Sequence, residues 1–345
     1  MASTIKDVAK MADVSISTVS RVINDSKPVS PEARRRVLYA IEALDYKPNE
    51  VARSLVTKKS NLIGVIVEDI GSNFISQILR GVEEVGKMYN YDILLSSSYG
   101  NPDTELNFAN LLAQKQVEGI IVISNQQNPK LEYRLEEAKI PYVLINNFYE
   151  IASFKAGIDF GKASFDITEY LIKKGHKNIA SFAIKKDIDR TVERFKVRGY
   201  EKAMEEHNLK KVSLFTDSLN PKDLEKNRKE IIETIKREKI TAVFSSYDTM
   251  AINLINLLLD EGFKTPEDIS VTGFGGEYIS SVYRPRLTTV KMPYYDIGAI
   301  SIRKMLKTIS NKESEIEEEK VILPIRILER ESVKSLKWKK SLDCL

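Results

Sequence analysis

The chain has 345 residues, 42% of them hydrophobic and 30% charged, which suits two or three domains of ordinary globular composition. No apolar run approaches the roughly 18 residues of a bilayer span, and the opening MASTIKDVAK lacks the apolar stretch of an export signal, so a cytoplasmic setting is expected. The one cysteine, Cys344, excludes an intrachain disulfide.

The net charge of +4 is unevenly spread: residues 1–60 carry 11 Lys+Arg against 7 Asp+Glu, and residues 61–345 carry 42 of each. A basic head on a neutral body points to a polyanion-binding module joined to something else. In the head, Ile5, Val8, Ala9 and Ala12 form one apolar helical stripe, with Thr4 as cap and Asp7 at the third helical position. Asp13-Val14 leave room only for a tight turn. Ser15 caps a second helix whose inner face is Val19, Val22 and Ile23, and Ser30-Pro31 start a third.

Two short helices around a tight turn, braced by a third, make a helix-turn-helix. Its second helix carries Ile16, Ser17, Ser20 and Arg21 on the outer face, where side chains meet base edges in the major groove. Arg21 suits a bidentate pair with guanine, Ser17 and Ser20 bond to several bases, and Ile16 offers apolar contact. Ser15, Thr18 and Asn24 suit phosphates, and Thr4 joins them as a DNA-contact candidate.

Next, DYKPNEVARSLVTKKS (45–60) places Val51, Ala52 and Leu55 on one face of a segment capped at Asn49, too short to be a stable helix alone. Asn49, Ala52 and Leu55 are expected to order against DNA, with Leu55 as a wedge in the minor groove.

From Leu62 short apolar runs alternate with longer amphipathic ones. LIGVIVED, YDILLSSSY, EGIIVIS and IPYVLINN read as strands separated by helices, and NIASFAI, KVSLFT, TAVFSS and ISVTGFG repeat the rhythm after residue 160. Such alternation predicts parallel sheets covered by helices, here in two similar lobes. Catalytic signatures are missing: there is no HExxH and no GxSxG, and GIDFGKA (157–163) is one residue short of a phosphate loop. GFGG (273–276) is expected to be a turn, and His176 and His207 are expected on the surface near helix ends. The chain is expected not to be an enzyme, and no cofactor or metal is expected.

TIKDVAKMADVSISTVSRVIN together with LDYKPNEVARSL resembles the lactose-repressor family of bacterial transcription regulators. The resemblance implies an all-α helix-turn-helix head (1–47), a hinge helix and linker (48–60) and an α/β two-lobed core like periplasmic binding proteins (61–332). It implies a first lobe of about 61–160 and 292–320 and a second of about 161–291 and 321–332, the chain crossing back so that 294–310 packs on the first lobe. A basic tail (333–345) is expected to be frayed. A homodimer on a pseudo-palindromic operator, with two hinge helices in the minor groove, is likewise implied.

Two classes of signal compete for the core. Where sugar-binding relatives place Asp, Arg, an Asn-Asp pair and Asp, this chain has Asn146, Lys196, Tyr247-Asp248 and Gly275, so a sugar or sugar-phosphate effector would have to use a different lining. The other signal is a protein corepressor. MYNYDILLSSS, KQVEGII and YDIGAISIRKMLK are similar to the catabolite-control regulators of this family. In those, the corresponding surface receives the serine-phosphorylated phosphocarrier protein of the sugar phosphotransferase system. By that resemblance Arg303 holds the phosphoserine and Lys307 assists, with Tyr295, Asp296, Ala299, Tyr89, Tyr91 and Asp69 around them.

Overall fold

The computed structural model describes residues 3–25, 27–47, 59–124, 128–145, 154–188, 192–310 and 319–336. The chain divides into two compact units, 1–61 and 62–345.

In the first unit, α1 (Ile5–Met11), α2 (Ile16–Asn24) and α3 (Pro31–Ala43) close on Val8, Val19, Val37 and Ala40, all fully buried. Each helix start is fixed locally. The Asp7 carboxylate accepts from the Thr4 N–H and hydroxyl at 2.8 and 2.7 Å, Ser15 Oγ accepts from Thr18 N–H at 3.2 Å, and Ser30 Oγ accepts from Ala33 N–H at 3.3 Å. The ends are equally specific. Asp13 and Asp25 turn the chain out of α1 and α2 at φ 49° and 47°, a conformation that short polar side chains tolerate.

In the second unit the described residues form two six-stranded sheets. The first, in the order β11-β5-β4-β3-β1-β2, is built from β1 (Leu62–Val67), β2 (Asp92–Ser97), β3 (Gly119–Ile123), β4 (Tyr142–Ile145), β5 (Phe154–Gly157) and β11 (Glu319–Ile322). The second, in the order β12-β10-β9-β8-β6-β7, is built from β6 (Ile179–Ile184), β7 (Val212–Thr216), β8 (Ala242–Ser245), β9 (Ser270–Gly275), β10 (Thr288–Lys291) and β12 (Arg326–Leu328). The described pairings are parallel except β10 with β12. Strands β3 and β6 are buried along their whole length, which is why they read as unbroken apolar runs.

The intervening helices are α4 (Asn73–Met88), α5 (Pro102–Gln114), α6 (Pro129–Glu137), α7 (Phe160–Lys173), α8 (Val192–Glu206), α9 (Pro221–Arg237), α10 (Asp248–Asp260), α11 (Ile279–Val282) and α12 (Tyr294–Ser310). After β10 in the second sheet the chain does cross back, and α12 lies against α4 of the first lobe. Phe74 and Tyr294 meet at 5.8 Å between ring centroids, and further along Ile302 reaches Gly86, so the helices run side by side in one direction.

Three expectations need correction. Val321 and Ile322, assigned to the second lobe, pair with Ala156 and Gly157 of the first sheet, and the Leu323 N–H still bonds to Gly157. Pro324, with no N–H to give the ladder, marks where the chain leaves for the second sheet. His176 is fully buried: Gly175 (φ 99°) ends the turn after α7 and drops the imidazole between Thr241 Oγ1 (3.0 Å) and the Lys334 carbonyl (3.1 Å). The start of the expected frayed tail is anchored, since Lys334 N–H bonds Ser270 Oγ at 3.1 Å and Leu336 N–H bonds the Lys174 carbonyl at 2.7 Å. Residues 337–345 lie outside the described residues. His207 is on the surface as expected, beside Glu169.

Candidate DNA-reading face and docking surface

The first site is the outer face of α2. Ile16 is 45% exposed and Ser17 and Arg21 are exposed, while Val19 and Val22 point into the head, so the helix presents reading groups on the side away from its core. The hydroxyls of Ser15, Ser17 and Thr18 cluster at the start of α2, with Ser15 Oγ 2.8 Å from Ser17 Oγ and 2.9 Å from Thr18 Oγ1. A helix N-terminus with converging hydroxyls suits a phosphate oxygen. Ser20 is only half exposed, and Asn24 Nδ2 donates to its Oγ at 3.2 Å, so this pair orders one flank of the face beside Arg21. Thr4 lies at the start of α1 in its bond with Asp7.

Sequence reasoning missed the arginines of α3. Arg34 bonds Asp25 at 2.7 Å and Arg36 lies 4.0 Å from Asp13, pinning the two left-handed turns that aim α2. The run ARRR was the available signal. Asn49, Ala52 and Leu55 lie outside the described residues.

The second site is the surface of α4 and α12. The two backbones nearly touch: a Cβ on Gly81 would stand 2.2 Å from the Tyr295 carbonyl oxygen, and one on Gly298 would stand 2.0 Å from that of Ile78. Above this contact the Tyr295 hydroxyl donates to Glu84 at 2.8 Å, and Glu84 also accepts from Arg80 at 2.8 Å. The bond to Glu84, then desolvation, raises the Tyr295 pKa, whereas the nearby cations Arg80 and Arg303 oppose the rise. Asp296, Arg303 and Lys307 are exposed on α12. Met88, 74% exposed, and Tyr89, 56% exposed, end α4.

Not every expected member belongs to this surface. Ala299 is buried in the helix contact, beneath Gly81. Tyr91 is half-buried, its hydroxyl donates to Glu118 at 3.0 Å, and burial is the main cause that pushes its pKa up to about 12. Asp69 is exposed just before α4, where its carboxylate accepts from the Gly71 N–H at 2.9 Å. Arg80, Glu84 and Met88 were missed; their four-residue spacing places them on one stripe of α4.

Of the expected effector lining, Lys196 and Asp248 are buried, whereas Tyr247 is half-buried. Lys196 is 2% exposed, and Asp248 is fully buried, accepting from Thr289 Oγ1 at 2.5 Å and from the Glu277 N–H at 2.6 Å. Burial pushes the Asp248 carboxyl up to about 6 against those two bonds. The GFGG segment, expected to be a turn, is instead the end of strand β9 through Gly275, and the chain leaves the sheet there with Gly275 and Gly276 at φ 133° and 67°. Asn146 lies outside the described residues. Among the described residues no group of three His, Cys, Asp or Glu is placed to hold a metal ion, and no helix is long and apolar enough to cross a membrane.

Comparisons with known proteins give the family. Residues 4–49 match the model of bacterial regulatory proteins, lacI family, and residues 168–333 match the periplasmic binding protein-like domain. Catabolite control protein A of Priestia megaterium is 39% identical, covering 96% of this chain and 99% of that protein. The HTH-type transcriptional regulator RegA of Clostridium acetobutylicum is 37% identical, covering 97% of this chain and 100% of that protein. Among solved structures, the lac repressor dimer bound to operator and the anti-inducer ONPF superposes with a TM-score of 0.82 at 23% identity, covering 97% of this chain and 100% of that one. CcpA of Lactococcus lactis superposes at 0.68 with 26% identity, covering 79% of this chain and 99% of that one. With a lacI-family helix-turn-helix over residues 4–49, a two-sheet core in the following unit and full-length relatives that are regulators rather than enzymes, the chain belongs to the lacI family of DNA-binding transcriptional regulators and is a homologue of catabolite control protein A.

Proposed function

We propose that this regulator works in the cytoplasm as a homodimer in carbon catabolite control. It binds a pseudo-palindromic operator, and a serine-phosphorylated phosphocarrier protein is its corepressor. The observation that supports this reading is the surface of α4 and α12, where Tyr89, Tyr295, Arg303 and Lys307 are all exposed and Arg303 is close enough to Tyr295 to act on its hydroxyl. Aromatic anchors give a protein partner contact area, and a guanidinium fork matches a phosphate. Met88 extends the apolar part of the patch. The sugar-effector alternative has less support, because Lys196 and Asp248 spend their polar groups inside the second lobe.

The partner acts by preferring the DNA-competent arrangement; coupling of this kind is typically worth about 1–3 kcal/mol. Calorimetric titration without DNA tests the docking step. The serine-phosphorylated carrier is expected to bind, the unphosphorylated carrier to bind more weakly, and Arg303→Ala to remove most of that difference. Equal binding of both forms, or an unaltered difference in Arg303→Ala, overturns the assignment.

A further inference from the structure

Lys196 is a buried cation in a built pocket. Its Nζ donates to the Ser246 carbonyl at 2.8 Å and to Glu193 Oε1 at 3.2 Å, and Glu193 is itself fully buried. Three rings surround the same nitrogen, with centroids at 3.7 Å for Tyr247, 4.8 Å for Phe274 and 5.9 Å for Phe160. Aromatic faces, a carboxylate and a carbonyl form the set that recognises an ammonium group, since ring quadrupoles attract cations strongly once water is excluded. Burial lowers the lysine's pKa, and Glu193 opposes that shift more than the next carboxylates, Asp248 and Glu277.

The pocket is assembled from distant parts of the second lobe. Lys196 and Glu193 come from α8, Phe160 from the start of α7, Tyr247 from the residue before α10, and Phe274 from β9. No local periodicity demands a lysine there. A plain apolar residue at position 196 would take away the only cation bonded to the buried Glu193 among the described residues, leaving that carboxylate to uncharged donors such as the Ile184 N–H, and removing one partner of a buried ion pair is costly.

We propose that Lys196 is a built-in ligand: its ammonium fills a three-ring pocket of the second lobe that is selective for primary ammonium groups, and thereby closes this pocket to a small-molecule effector. The pocket stands independently of what docks on the first lobe, so its test does not depend on the corepressor reading.

The experiment has two arms on the full-length chain. In the first, Lys196→Ala removes the three side-chain carbons beyond Cβ and the nitrogen, leaving room for n-propylammonium. The variant is expected to lose at least about 5 °C in Tm. n-Propylammonium chloride is expected to restore a large part of that loss, whereas n-propanol or sodium chloride at equal concentration restores little. Neither is expected to shift the wild type or Lys196→Met, which retains the side-chain volume. Equal rescue by n-propanol, or none by n-propylammonium, overturns the proposal.

The second arm needs no variant and decides the matter should Lys196→Ala not fold. Native wild-type protein is reductively methylated and mapped by peptide mass. Lys196 is expected to stay unmodified while exposed lysines such as Lys87 and Lys307 react, with or without glucose 6-phosphate. Modification of Lys196 at the rate of those lysines, or its exposure on adding glucose 6-phosphate, overturns the proposal.

Discussion

Arg21 is exposed on α2 beside the bonded pair Ser20 and Asn24, and we propose that its guanidinium reads a base. Arg21→Ala is expected to cost about 1–3 kcal/mol at one operator base pair and to relax preference there; competition among operators substituted one position at a time measures it. Uniform weakening across all of them means a phosphate contact instead. Asp248 allows a prediction with a definite sign. Its folded pKa, about 6, lies above the ordinary 3.8, so its contribution to stability is present below the ordinary value and is lost as pH rises through about 6. Relative to Asp248→Asn, the wild type should lose about 3 kcal/mol of unfolding free energy between about pH 4 and pH 8, read from denaturant curves across that range. A flat difference between the two proteins contradicts it. At this scale the sequence revealed residue types but not their neighbours. The departure at Lys196 was visible, whereas the three rings around it come from elements far apart in the chain. Ala299 shared a helical face with Tyr295, yet only the approach of α4 shows which of the two it covers.

Among the elements, the α4–α12 contact bears most directly on docking, because it joins Tyr295 of α12 to Glu84 of α4. Gly81 and Gly298 allow the contact by having no Cβ, and what each Cβ would strike is backbone, which cannot swing aside. Gly298→Val is expected to destabilise the core by about 1–3 kcal/mol or more. It should also weaken binding of the phosphoprotein under conditions where the variant remains folded. Denaturant unfolding and calorimetry check the two halves, and an undisturbed core shows that the helices do not need this closeness. Alternating apolar runs made β1, β3, β6 and β9 readable because each is buried or nearly so along its length. Strand β5, only Phe154–Gly157, carries no such run and was not foreseen. Helix α7 begins at Phe160, where Asp159 Oδ1 accepts from Lys162 N–H at 2.8 Å; that capping aspartate sits in the GIDFGKA segment that fell one residue short of a phosphate loop. The return of α12 to the first lobe came from family resemblance alone, since long-range pairing leaves no periodic mark.

For the whole molecule, the excess of positive charge in the first 60 residues fits a head that holds DNA, and we propose that the surface of the core receives the signal. An electrostatic grip alone binds any duplex and weakens steeply with salt. Under the proposed reading, sequence preference comes from α2 and the hinge segment, and its control from the core. The most direct measurement is a titration of operator-length duplexes at fixed salt, palindromic against random sequence, with and without the serine-phosphorylated phosphocarrier protein. The palindrome is expected to bind more tightly than random duplex, and the phosphoprotein to raise that affinity by roughly 5–150-fold while leaving the random duplex nearly unchanged. Equal affinity for both duplexes at every concentration of the phosphoprotein contradicts the account.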